Sequence, residues 1–183
     1  ASSCLKKIAK ENKWKMEFTE DSTIFTEKNL VKFDVIVFLL TTGDILNDAQ
    51  QKSFEKFIQS GKGFVAVHTG TDTEYKWEWY GQLVGAYFIG HPPTQEVKLI
   101  IEDQTHPSTK HFGTDKMVWK DEFYSFNRNP RAEVKVLISI DESTFSISNE
   151  AFLKEKNLNM GDHPLVWCRE FDGGRSFHTG LGH

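Results

Sequence analysis

Residues 34–68 spell a strand, a helix and a second strand, and no other part of the chain limits the fold so tightly. Val35-Ile36-Val37-Phe38-Leu39-Leu40 is an unbroken apolar run. A strand needs such a run only when both of its faces are covered, so helices are expected on each side of the sheet. Asn47, with Gln50 three residues on, is a variant of the capping box, and it starts a helix whose Ala49, Phe54, Phe57 and Ile58 share one face. Gly61 closes that helix, and Gly63-Phe64-Val65-Ala66-Val67 is a second buried strand that ends at His68. A right-handed crossover makes the two strands parallel. His68 therefore falls at the carboxyl end of a parallel strand, the edge at which open α/β sheets bind their ligands.

The rest of the chain is consistent with one domain over residues 1–183, since hydrophobic cores divide only beyond roughly 250 residues. The chain opens inside a helical pattern, with Leu5, Ile8 and Ala9 at i, i+3, i+4, where an α/β sheet normally places a strand first. A first strand is therefore expected to be lacking from the sequence. Residues 15–19 alternate enough for a short strand, and residues 77–84 read as an aromatic helix closed by Gly85. The second half is richer in strands, at 97–101 and 134–140, with a hairpin over 165–179 that turns at Asp172-Gly173-Gly174.

Net charge is -4 with no dense Lys/Arg tract, so a nucleic acid partner is not expected. The longest apolar run is far shorter than the roughly 20 residues that cross a bilayer, so no membrane segment is expected either. Cys4 and Cys168 form no C-x-x-C pair and imply neither a disulfide framework nor a zinc knuckle. The compartment stays open between cytoplasm and periplasm, and a homo-oligomer is compatible with all of this.

The residues that could carry chemistry are mostly histidines. Of seven, His68, His91, His106, His163 and His183 stand in loops or at element ends. His91, His106 and His163 each precede a proline, which drives their backbone into an extended form and fixes the side-chain direction. The plainer reading is a set of rigid turns whose imidazoles cap nearby carbonyls. Thr69-Gly70-Thr71 after His68 resembles a nucleophile elbow, with Gly70 expected to take the positive φ, yet the elbow holds no Cys or Ser. Imidazole there would serve as acid, base or metal ligand. Asp121 and Glu122 are adjacent carboxylates that a strand would point to opposite faces, so at most one of them enters a given pocket. Trp77, Trp79 and Tyr80 are more often core than a platform for a sugar ring, although apolar sugar faces do stack on such rings.

Taken in order, several segments resemble the trehalose-utilisation (ThuA-like) family. They are Val35-Ile36-Val37-Phe38, Thr42-Gly43-Asp44, Gly63-Phe64-Val65-Ala66-Val67-His68, Trp79-Tyr80, Gly85-Ala86-Tyr87-Phe88, His91-Pro92, His106-Pro107-Ser108-Thr109, Asp121-Glu122-Phe123-Tyr124, Gly161-Asp162-His163-Pro164, Gly173-Gly174-Arg175 and Leu181-Gly182-His183. The resemblance implies an α/β fold of the class I glutamine amidotransferase type. That is a flavodoxin-like three-layer sandwich with a mostly parallel central sheet, helices on both faces and extra antiparallel strands in the second half. It places His68 where amidotransferases keep a nucleophilic Cys, which excludes glutamine hydrolysis through a thioester, and His183 near the position of their triad His.

The resemblance also implies a protein of carbohydrate metabolism acting on a disaccharide or its 3-keto derivative, with a small-molecule carbohydrate as partner. His68, Asp121, Glu122 and His183 are then the catalytic candidates, and Trp79, Tyr80, His91, Tyr124 and His163 the substrate-binding ones. No cofactor is certain, while a divalent metal such as zinc is chemically compatible with the histidines. Two alternatives stand beside acid/base chemistry: a non-catalytic carbohydrate-binding module and a metal-dependent hydrolase.

Overall fold

The computed structural model describes residues 2–147 and 157–183. Its helices are α1 (Ser2–Glu11), α2 (Glu27–Leu30), α3 (Asp48–Gln59) and α4 (Glu78–Val84). Its strands are β1 (Val35–Leu39), β2 (Gly63–Val67), β3 (Phe88–Gly90), β4 (Gln95–Ile101), β5 (Lys116–Asp121), β6 (Ser125–Phe126), β7 (Lys135–Ile140), β8 (His163–Phe171) and β9 (Gly174–Thr179). Seven of the strands form one mixed sheet in the order β1-β2-β9-β8-β7-β4-β5, and β3 pairs with β6. The pairings β1 with β2 and β2 with β9 are parallel, as the crossover rule requires, and every pairing from β9 to β5 is antiparallel. No helix is long and apolar enough to cross a membrane among the described residues.

The helix between β1 and β2 begins as the sequence predicts. Asn47 Oδ1 accepts from the backbone N–H of Gln50, and Gln50 Oε1 accepts from that of Asn47, which completes the capping box. Phe54, Phe57 and Ile58 of α3 and Tyr80, Leu83 and Val84 of α4 pack into one core with Phe38 of β1 and Phe64 and Ala66 of β2. Each such buried side chain contributes on the order of 1.5–3 kcal/mol against the entropy of ordering. A second core fills the antiparallel half, around Val97, Leu99, Leu137, Ile140 and Leu165. Gly85 ends α4 at φ 101, with the indole of Trp167 so close that a Cβ would stand 2.8 Å from Nε1, the nitrogen that donates to the Val84 carbonyl.

Two expectations are corrected. Residues 15–19 form no strand, because alternation over five residues beside no partner edge gives the backbone no ladder to join. β1 is not covered on both faces: it stands at the end of the sheet order, Val35 is 45% exposed and only Phe38 is fully buried.

Candidate functional site

Strand direction gathers the chemistry. The carboxyl ends of β2, β5 and β9 and the amino ends of β4 and β8 lie on one edge of the sheet, as the parallel and antiparallel pairings dictate. His68 follows β2, Glu122 follows β5, His183 follows β9, His91 precedes β4 and His163 opens β8. Residues far apart in sequence thus share one rim.

His68 begins a 3-10 turn, His68–Thr71, directly after β2, and it is His68 itself that takes the positive φ, 52°. Gly70 does not, which corrects the sequence expectation. Gly70 answers to crowding instead, since a Cβ there would lie 2.8 Å from the Ala66 Cβ. The strained backbone turns the His68 ring inward, where it is 1% exposed and packs against the Tyr124 ring at 4.0 Å between centroids. Its Nδ1 lies 2.9 Å from the Gly180 carbonyl oxygen. A carbonyl can only accept, so Nδ1 carries the hydrogen, and in the neutral tautomer Nε2 is the nitrogen left with the lone pair. Among the described residues that Nε2 has no hydrogen-bond partner.

What Nε2 faces is Glu122. Glu122 Oε2 lies 3.5 Å from His68 Nε2 and 3.2 Å from His183 Nδ1, while Oε1 lies 3.3 Å from His91 Nδ1. One carboxylate, 15% exposed, therefore meets three imidazoles. His91 Nδ1 also faces the Pro92 carbonyl at 3.0 Å, so this nitrogen carries its hydrogen toward both acceptors. Asp121, the other member of the pair, points elsewhere. Its Oδ1 accepts from the Glu122 N–H, and its Oδ2 accepts from Gly182 N–H at 3.0 Å and from the Trp119 indole at 3.4 Å. Asp121 thereby ties the segment bearing His183 to the end of β5. The donor atoms of His68, Glu122 and His183 all lie within 4.8 Å of one another, a set that could hold a metal ion.

Around this centre stands an aromatic wall. Tyr124 stacks on His68, on Phe88 at 4.1 Å and on His91 at 5.6 Å. Burial pushes the Tyr124 phenol up, and the neighbouring Glu122 charge pushes it further, so the hydroxyl keeps its proton. His163 is buried with both nitrogens engaged, Nδ1 by Glu142 Oε1 and Nε2 by the Tyr124 carbonyl, each at 2.9 Å. It positions Tyr124 and offers no free nitrogen to the rim.

Two other candidates lie outside the cluster. Trp79 donates its indole N–H to Asp172 at the β8–β9 turn, on the opposite edge of the sheet, and stacks on Trp77. Tyr80 is fully buried, and its hydroxyl donates to the Gly70 carbonyl at 2.5 Å, bracing the turn that carries His68. The sequence reading missed Tyr75, whose exposed ring stacks on Tyr87 and whose hydroxyl bonds Asp72 and the carbonyl of Phe88, a member of the wall. It also missed Glu74, a 2% exposed carboxylate that accepts from the N–H groups of Ile45 and Leu46 and from Gln51. No local pattern marks either residue.

A mixed sheet flanked by helices, with polar side chains gathered beyond the carboxyl ends of its parallel strands, defines an α/β protein with a rim-type site. Solved structures share that fold. A ThuA-like protein from Bacteroides uniformis ATCC 8492 superposes with a TM-score of 0.82 at 23% identity, over 100% of this chain and 73% of that one. A second from Parabacteroides merdae ATCC 43184 gives 0.69 at 22% identity, over 93% and 67%. A cytoplasmic protein of Salmonella typhimurium gives 0.58 at 13% identity, over 90% and 64%. No curated protein sequence matches the chain. The family model described as trehalose utilisation matches residues 1–183, and the chain belongs to that family, ThuA.

Proposed function

We propose that the chain is an enzyme of carbohydrate metabolism that transfers protons on a disaccharide or its 3-keto derivative. The observation that carries the reading is the meeting of Glu122 with His68, His91 and His183 at 3.2–3.5 Å on the ligand-binding edge of the sheet. Membership of a family tied to trehalose utilisation supplies the substrate class. The two oxygens of Glu122 divide the work. Oε1, oriented by His91, is the base that takes the proton from the carbon beside the ketone. Oε2 faces His68 and His183, the side on which the ketone oxygen is to be stabilised as it becomes an enolate oxygen. Tyr124, held protonated, stands beside them as a hydroxyl donor. In an isomerisation the proton returns to the former ketone carbon while the hydroxyl on the deprotonated carbon passes its hydrogen to the enolate oxygen. In an elimination the enolate collapses to the conjugated ketone, and the substituent one carbon further leaves with its bonding pair and takes up a proton.

The test is turnover of a 3-keto-disaccharide, with deuterium uptake from heavy water at the carbon beside the ketone followed by NMR. Glu122→Gln keeps the shape and removes the base, and it should lower uptake by about 10²–10⁴-fold, with His68→Ala also impaired. Uptake unchanged in Glu122→Gln would overturn the assignment.

A further inference from the structure

The lone pair of His68 Nε2 raises a question that acid/base chemistry alone leaves standing. The Gly180 carbonyl fixes the hydrogen on Nδ1, so in the neutral tautomer the Nε2 lone pair faces a carboxylate oxygen 3.5 Å away, inside a site where His68 is 1% exposed. Two electron-rich atoms face each other, and burial keeps water from screening them. Such a pair calls for positive charge between its members. His183 Nδ1 converges on the same oxygen, 3.2 Å away.

We infer that His68 Nε2, Glu122 Oε2 and His183 Nδ1 form a binding site for one divalent transition metal of the zinc class. The spacing fits. Four ligands at about 2.0–2.1 Å around a tetrahedral ion stand roughly 3.3–3.4 Å from one another. Glu122 Oε2 is 3.5 Å from His68 Nε2 and 3.2 Å from His183 Nδ1, which are edges of that size. For the remaining edge, a ring nitrogen of each imidazole lies within 4.8 Å of one on the other. His183, with its side chain 60% exposed, is the ligand free to close it.

The surroundings of the three residues agree as well. Metal-bound histidines hold their other ring N–H on a carbonyl or carboxylate, which is what His68 Nδ1 does on Gly180. Ligand carboxylates are steadied through their second oxygen, as His91 does for Glu122 Oε1. Asp121 holds the Gly182 N–H and so places the residue next to it, His183. Two imidazoles with one carboxylate suit zinc, iron, cobalt or manganese and not magnesium or calcium, which prefer all-oxygen shells. Three protein ligands leave a coordination position for a substrate oxygen or water, the pattern of catalytic rather than structural metal.

The inference rests on the reading of this rim as the active site only for its purpose. The metal would be the positive charge on the Oε2 side that polarises the ketone. Binding itself is tested without turnover. The chain, stripped with a chelator and dialysed, is titrated with Zn²⁺ by calorimetry, and with Co²⁺ by visible absorption. One ion per chain is expected, with no comparable heat from Mg²⁺. Glu122→Gln and His183→Ala should each weaken Zn²⁺ by roughly 100-fold or more, since losing even an orienting partner costs about 10–100-fold. His106→Ala, a histidine outside the cluster, should leave it unchanged. Circular dichroism of His183→Ala checks the fold. Failure to bind one Zn²⁺, or equal affinity in both ligand variants, overturns the inference. Metal-free chain that still exchanges deuterium in a Glu122-dependent way overturns the metal's part in polarising the ketone and keeps the enzyme. Stoichiometric metal without any exchange keeps the metal and overturns the enzyme.

Discussion

His178 lies beneath His68 and gives the fold a measurable dependence on pH. It sits in β9 opposite Ala66 of β2, with the Trp167 ring 4.2 Å and the Phe126 ring 5.7 Å from its own. Burial pulls its pKa from 6.5 down to about 3, the nearby His68 adds to the pull, and the Ala66 backbone opposes it. In the unfolded chain the ring would titrate near 6.5. Between these limits the unfolded state binds a proton that the folded state refuses, so stability rises with pH across the window. The contribution is complete above about 6.5 and is lost as pH falls toward 3. A displacement of that size, at about 1.4 kcal/mol per unit, amounts to about 5 kcal/mol. The whole stability of a domain is only about 5–15 kcal/mol, so this single ring could decide where the protein unfolds in acid.

Replacing His178 with Leu keeps the volume apolar and removes the titration. Urea unfolding of both proteins, followed by tryptophan fluorescence at intervals from about pH 7 to 4.5, gives the difference in stability at each pH. Carboxylates and the other histidines are common to both proteins and cancel in that difference. The variant should gain on the parent by about 2 kcal/mol as pH falls from about 6.5 to about 4.5. A difference that stays constant over this range to within about 0.5 kcal/mol would mean that the folded ring titrates like the unfolded one, and the reasoning would fail.

Gly70→Ala places a Cβ 2.8 Å from that of Ala66 and 3.6 Å from the Phe38 carbonyl, so it should destabilise by about 1–3 kcal/mol; an unchanged melting temperature would contradict the crowding. Trp79→Phe removes the indole bond to Asp172 and should cost about 1 kcal/mol in denaturant unfolding while leaving sugar binding and turnover as they were. Loss of sugar binding in a variant of normal stability would return Trp79 to the role of stacking platform.

The sequence reading located His68 because every signal involved is local. The apolar run, the Asn47–Gln50 box and the closing Gly61 act within a turn or two of chain, and each has its structural counterpart in β1, α3 and β2. β5 was not legible, because it is an edge strand whose Val118 and Trp119 are exposed and whose interior positions carry no alternation to read. That omission mattered, since β5 is what delivers Glu122. From sequence, Asp121 and Glu122 were equivalent, and only the register of β5 against β4 decides which carboxylate enters the rim and which secures the chain beside His183.

The same logic separates the histidines. His163 and His68 both stand at strand ends and both are buried, yet one has each nitrogen engaged by an acceptor and the other has a nitrogen engaged by none among the described residues. That distinction depends on Glu142, Gly180 and the Tyr124 carbonyl, partners contributed by other elements, and no spacing in the chain encodes it. An identical residue type in a like position therefore acquires a structural role in one case and a chemically available nitrogen in the other. The difference lies in the backbone atom each ring meets after the sheet has closed.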